Sequence, residues 1–142
     1  LGYNYRLTDF QAALGISQLN RSDLGMEKRI KIAEKYNNAF CNCSFIKGQS
    51  GLVKGHAYHL YIIEVNNRLG LYNFLKENNI FAQIHYIPTH LMPYYKQFGW
   101  KIGDLPIAES YYESCISLPM YPTLTEIEQD FVINKIKEFY NG

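Results

Sequence analysis

The sequence has no apolar run approaching the ~20 residues a bilayer-spanning helix needs, so no segment of it reads as a membrane span. It also lacks an excess of either charge. Fourteen Lys and Arg balance thirteen Asp and Glu for a net charge of +1, and the basic residues are spread along the chain. That argues against nucleic acid or an anionic membrane as the main partner. Cysteine is scarce and odd in number: Cys41, Cys43 and Cys115. With no metal-ligand frame around them, free thiols in a reducing compartment are expected, which points to the cytoplasm. No signal-peptide pattern opens the sequence, and it starts at Leu1 rather than Met, as if cut from something longer. Histidine numbers only four. The spacings His56/His59 and His85/His90 do not give the paired helical face or the further ligands that a zinc site wants, so no metal is expected. There is no Gly-rich phosphate loop and no Gly-x-Ser-x-Gly elbow. Cys115 sits on a buried-looking strand, a poor place for a nucleophile.

What is present is apolar and aromatic. Hydrophobic residues make up 47% of the 142, and thirteen are tyrosines. That suffices for one domain with a real core and half-buried aromatic surfaces. In Thr8-Asp9-Phe10-Gln11, Thr8 and Gln11 have capping-box spacing. A first helix is therefore expected from Thr8 to Leu19, kept thin by Ala12, Ala13, Gly15 and Ser17. Asn20 to Asp23 bends the chain into a second helix ending near Phe40. Its buried stripe is Met26, Ile30, Ala33, Tyr36 or Asn37, and Phe40. Asn42 to Gly55 reads as irregular, punctuated by Gly48, Gly51 and Gly55. Ala57–Val65 is the clearest strand, β-branched and aromatic on both faces, and a lone strand histidine such as His59 is read as a bonded sheet residue. Asn66-Asn67 turns the chain into a short helix through Leu71, Phe74 and Leu75. Ile80–Tyr86 is a second strand. Pro106 to Glu113 is helical with Pro near its first position, Ser114–Leu118 is a third strand, and Thr125 with Glu128 caps a final helix. The expected fold is an α/β domain of α+β sandwich type. A largely antiparallel sheet of three or four strands would have the helices of Thr8–Phe40 and Thr125–Tyr140 over one face.

Two stretches carry polar chemistry. Asn4 and Arg6 lie on an extended arm just ahead of the first helix and offer an amide and a fixed cationic fork. The segment His85-Tyr86-Ile87-Pro88-Thr89-His90-Leu91-Met92-Pro93-Tyr94-Tyr95 packs two histidines and three tyrosines between prolines at a strand end, where loops form binding surfaces.

Taken together, the motifs resemble the DegT/DnrJ/StrS family of pyridoxal-phosphate sugar aminotransferases. Gly2-Tyr3-Asn4-Tyr5-Arg6-Leu7-Thr8-Asp9-Phe10-Gln11-Ala12-Ala13-Leu14-Gly15 looks like the segment joining the family's large and small domains. Gln83 to Tyr95 resembles its small-domain active-site loop. Ala108-Glu109, Ile116 to Thr125 and Gln129-Asp130 match its C-terminal signature. The nearest flavour is that of enzymes aminating UDP-linked 4-keto sugars, as in pseudaminic acid synthesis. The resemblance implies one small domain over 1–142, in three parts: an inter-domain loop at 1–7, helices at 8–40, and sheet and helix at 57–142. It also implies a homodimer with active sites at its interface. Asn4, with Arg6 nearby, would serve the partner's pyridoxal 5'-phosphate phosphate group. His90, His85, Tyr94 and Tyr95 would line the nucleotide-sugar site, and an amino acid such as glutamate would donate the nitrogen. The family's Schiff-base lysine belongs to the large domain, N-terminal to everything here. Lys47 is read as a surface residue, no catalytic residue is assigned, and the chain alone is expected to be inactive. The competing class is a non-catalytic module binding a sugar or a protein.

Overall fold

The computed structural model describes residues 2–3, 5–47 and 51–141. Asn4 and Gly48, both singled out above, lie outside them. The elements run α1 (Asp9–Leu19), α2 (Ser22–Phe40), β1 (Ile46–Lys47), β2 (Tyr61–Val65), α3 (Arg68–Glu77), a 3-10 turn (Thr89–Leu91), α4 (Pro93–Lys96), α5 (Pro106–Ser114), β3 (Cys115–Leu118) and α6 (Glu126–Asn141). The sheet is antiparallel in the order β1-β2-β3. Both capping boxes form. The Gln11 N–H donates to Thr8 Oγ1 at 3.3 Å while the Thr8 N–H reaches Gln11 Oε1 at 2.9 Å. At the start of α6 the Thr125 N–H meets Glu128 Oε2 at 2.8 Å and the Glu128 N–H meets Thr125 Oγ1 at 3.2 Å. Each box satisfies two amide groups that a helix start otherwise leaves unbonded.

The core lies on one face of the sheet. Tyr61, Ile63 and Val65 of β2 and Ile116 and Leu118 of β3 point into it. They meet Ile32, Ala33, Tyr36 and Phe40 of α2, Leu71 and Leu75 of α3, and Val132, Ile133 and Ile136 of α6. Two side chains lock this layer. Gln129, almost wholly buried, donates from Nε2 to the Ile32 carbonyl at 2.8 Å, and the Tyr36 hydroxyl donates to the Pro119 carbonyl at 3.0 Å. Arg29 ties α2 to the strand ends: its Nη1 reaches the carbonyls of Tyr58, His59 and Met120 at 3.2, 3.1 and 2.9 Å.

The structure corrects several expectations. Ala57–Val65 is a strand only from Tyr61. The register pairs Tyr61 with Leu118, and the next residue on β3 is Pro119, which has no N–H to continue the ladder. The preceding residues bend instead. Tyr58 is left-handed at φ 46°, and His59 is exposed in a bend rather than set in the sheet. Ile80–Tyr86 is not a strand. It touches the sheet through one pair, Gln83 and Ser117, with N–H···O distances of 3.0 and 2.8 Å. Pairing stops at Pro119 on one side. On the other side the Cys115 N–H is already bonded to the Tyr111 carbonyl closing α5, and only the Cys115 thiol faces the His85 carbonyl, at 3.4 Å. The third strand is instead β1, two residues inside the stretch read as irregular, and Lys47 lies exposed on it. Helix α1 covers no sheet face: none of its residues is buried, and Phe10, Leu14, Ile16 and Leu19 stand exposed. In α2, Ile32 joins the buried stripe and Met26 does not.

Candidate functional site

The loop from His85 to Tyr95 leaves the sheet edge just after the Gln83 bridge, so β3 fixes where it starts. His85 stays close to that anchor. Its Nδ1 lies 2.9 Å from Ser117 Oγ, and its ring packs edge-on to Tyr86 with centroids 4.8 Å apart. Both His85 and Ser117 line a largely apolar groove of about 600 Å³ that runs past Phe81 and Tyr121 to Ile127 and Phe131 of α6.

His90 sits differently. It lies in the 3-10 turn, 6% exposed, and its Nε2 is 2.9 Å from Glu109 Oε1. Glu109 belongs to the first turn of α5 and is a hub. It also accepts the Gly103 N–H at 2.9 and 3.0 Å on its two oxygens and the Leu105 N–H at 3.2 Å. The Gly103 N–H foremost, then the His90 side chain and the Leu105 N–H, hold its carboxyl below the ordinary carboxylate value. Trp100 packs edge-on to the His90 ring at 6.3 Å. On α4, Tyr94 and Tyr95 are both exposed, set edge-on 5.2 Å apart, and Tyr94 meets Phe98 at 5.8 Å.

The four loop residues singled out from sequence thus share one segment but two anchorages: His85 on β3 and His90 on α5, with Tyr94 and Tyr95 facing solvent. Arg6 is exposed on the arm, and among the described residues it makes no hydrogen bond or ion pair with the loop. Sequence reading did not assign Glu109, Ser117 or Trp100 to the site. Glu109 and Ser117 did fall within the stretches matched to the family's C-terminal signature, with no role given to either, and Trp100 carried no signal. Among the described residues no group of three or more His, Cys, Asp and Glu is placed to hold a metal ion, and no helix is long and apolar enough to cross a membrane.

A Schiff-base lysine works from an enclosed pocket that favours its neutral amine. None of the ten lysines is buried and none lines the His85–Ser117 groove. Lys35 is paired with Asp130 at 2.7 Å and Lys135 with Glu138 at 2.8 Å. Among the described residues no lysine is set in such a pocket.

This fold of helices and a small antiparallel sheet is matched within solved pyridoxal-phosphate aminotransferases. One is Helicobacter pylori PseC, an aminotransferase involved in the biosynthesis of pseudoaminic acid. The chain is 28% identical to it, with a TM-score of 0.89 over 99% of this chain and 39% of that one. The description of the DegT/DnrJ/EryC1/StrS aminotransferase family matches residues 1–137, and the chain belongs to that family, which is pyridoxal-phosphate dependent. Among curated relatives, it is 38% identical to the spore coat polysaccharide biosynthesis protein SpsC of Bacillus subtilis, covering 99% of this chain and 39% of the relative. It is 32% identical to the UDP-4-amino-4,6-dideoxy-N-acetyl-beta-L-altrosamine transaminase of Campylobacter jejuni, covering 100% and 41%. The chain therefore spans about two fifths of the length of these relatives.

Proposed function

We propose that this chain is the C-terminal, sugar-facing part of an aminotransferase that moves an amino group from an amino acid, glutamate by preference, to a nucleotide-linked keto sugar for cell-surface glycan synthesis. The observation that carries this is the family match across 1–137, together with relatives whose names specify a UDP-sugar transaminase and a polysaccharide pathway. In this reading the enzyme is a cytoplasmic homodimer. Asn4 and Arg6 serve the partner's cofactor phosphate, where an amide and a guanidinium are apt donors. His85, His90, Tyr94 and Tyr95 line the sugar site. The Schiff-base lysine is supplied by a large domain N-terminal to this segment, a view supported by the finding that none of the ten lysines here is buried.

The same finding favours a second reading, a non-catalytic sugar- or protein-binding module. The two separate on the reading frame upstream of Leu1, which under the first encodes a large domain with a lysine. In the enzyme carrying this segment, His90→Ala should lower keto-sugar turnover about tenfold to a hundredfold, the worth of one lost polar contact. Bound cofactor should remain. Unchanged kinetics for both substrates would remove His90 from the site.

A further inference from the structure

We infer that Glu109 is a positioning residue that fixes the tautomer of His90, so that His90 presents Nδ1 as a hydrogen-bond acceptor to a hydroxyl or amine donor on the ligand. Glu109 Oε1 receives three contacts, from His90 Nε2 at 2.9 Å, Gly103 N at 3.0 Å and Leu105 N at 3.2 Å, and Oε2 receives Gly103 N at 2.9 Å. Every neighbour pointing at this carboxyl is a donor or must act as one. An ionised carboxylate only accepts, so the proton of a neutral His90 ring lies on Nε2. Nδ1 is then the lone-pair nitrogen. It has no hydrogen-bond partner among the described residues, where Nε2 alone is bonded. The ring as a whole is clamped, with 5% of its side chain exposed and Trp100 edge-on against it. A clamped ring with one unpartnered nitrogen of fixed character is a directional reader: it takes a donor and rejects a bare anionic oxygen. The same carboxylate ties down Gly103 and Leu105, so it orders the turn that follows Trp100.

The identity of the ligand, a sugar carrying hydroxyl and amino groups, rests on the proposed function; the tautomer does not. Long-range 1H–15N correlation spectra of the imidazoles in this chain, taken where His90 is neutral, read it directly. The expected pattern is a pyridine-type Nδ1 and a pyrrole-type Nε2. Glu109→Gln keeps a carbonyl oxygen at the Oε1 position and should retain that pattern, whereas Glu109→Ala should let the two tautomers mix. The sole tryptophan, Trp100, gives a fluorescence control for folding of the loop. In the aminotransferase carrying the segment, Glu109→Ala should raise KM for the keto sugar about tenfold, leave the amino-donor half-reaction unchanged, and be largely rescued by Glu109→Gln. A wild-type Nδ1–H tautomer, or a Glu109→Ala spectrum identical to wild type, overturns the inference whatever the enzyme turns out to do. A correct tautomer in a protein without transaminase activity would instead sink the proposed function alone.

Discussion

Replacing Arg29 by alanine removes the clamp between α2 and the ends of β2 and β3. Nη1 carries two N–H groups, which are shared among the carbonyls of Tyr58, His59 and Met120 at 3.2, 3.1 and 2.9 Å. A hydrogen bond from a charged group is worth about 1.5–3 kcal/mol, and a part-buried carbonyl left without a partner costs about 1–3 kcal/mol. Tyr58 is nearly fully buried and Met120 is buried, whereas His59 is exposed and recovers water. Two carbonyls are then stranded, and a loss of about 2–4 kcal/mol is expected. At this chain length that corresponds to a fall in Tm of roughly 6–16 °C. Urea denaturation followed by tyrosine and Trp100 fluorescence gives the free energy, and calorimetry the Tm. Arg29→Lys should recover part of the loss, because an ammonium keeps donors but loses the planar fork. Lys28→Ala, exposed on the same helix, should change stability by less than about 0.5 kcal/mol. An Arg29→Ala protein as stable as Lys28→Ala would refute the reasoning.

Alkaline pH should weaken the fold through its buried tyrosines. Burial raises the hydroxyls of Tyr36 and Tyr61 and pushes Tyr140, which donates to the Asn66 carbonyl at 2.6 Å, up to about 12 from 10.0. The unfolded chain loses these protons first, so stability is full below the ordinary tyrosine value and falls as pH rises from 10.0 toward about 12. A urea midpoint that stays flat through that window would contradict this. The thiols should separate by burial: Cys41 is exposed, whereas Cys115 is buried and its thiol is pushed up by desolvation. Disulfide reagents should modify Cys41 quickly and Cys115 only on unfolding, and equal rates would show that β3 opens readily.

Helices were legible from sequence because their signals are local. Thr8/Gln11 and Thr125/Glu128 announce their caps, and the apolar spacing of Ala33, Tyr36 and Phe40 marks the buried side of α2. Strand limits were not, because they depend on a neighbour. Residues 57–60 and 80–86 have strand-like composition, but Pro119 and the committed Cys115 N–H deny them partners. β1 is two residues long, too short to show alternation. The small residues Ala12, Ala13 and Ser17 of α1 mark a face made for close packing, and within this chain that face stands exposed. Of the candidate site, the proline-bounded His85–Tyr95 stretch was readable as a loop from its composition. The partnership of His90 with Glu109 spans nineteen residues in sequence and has no periodic signature.

The central claim is that this segment reads the sugar while the cofactor's lysine lies elsewhere. Borohydride reduction of the chain mixed with pyridoxal 5'-phosphate, followed by peptide mapping, tests it most directly. The expected result is low, scattered labelling over the ten lysines, none of them buried, with no defined internal-aldimine absorbance and no transamination. Stoichiometric trapping on one of these lysines, with turnover of glutamate and a keto sugar, would contradict it.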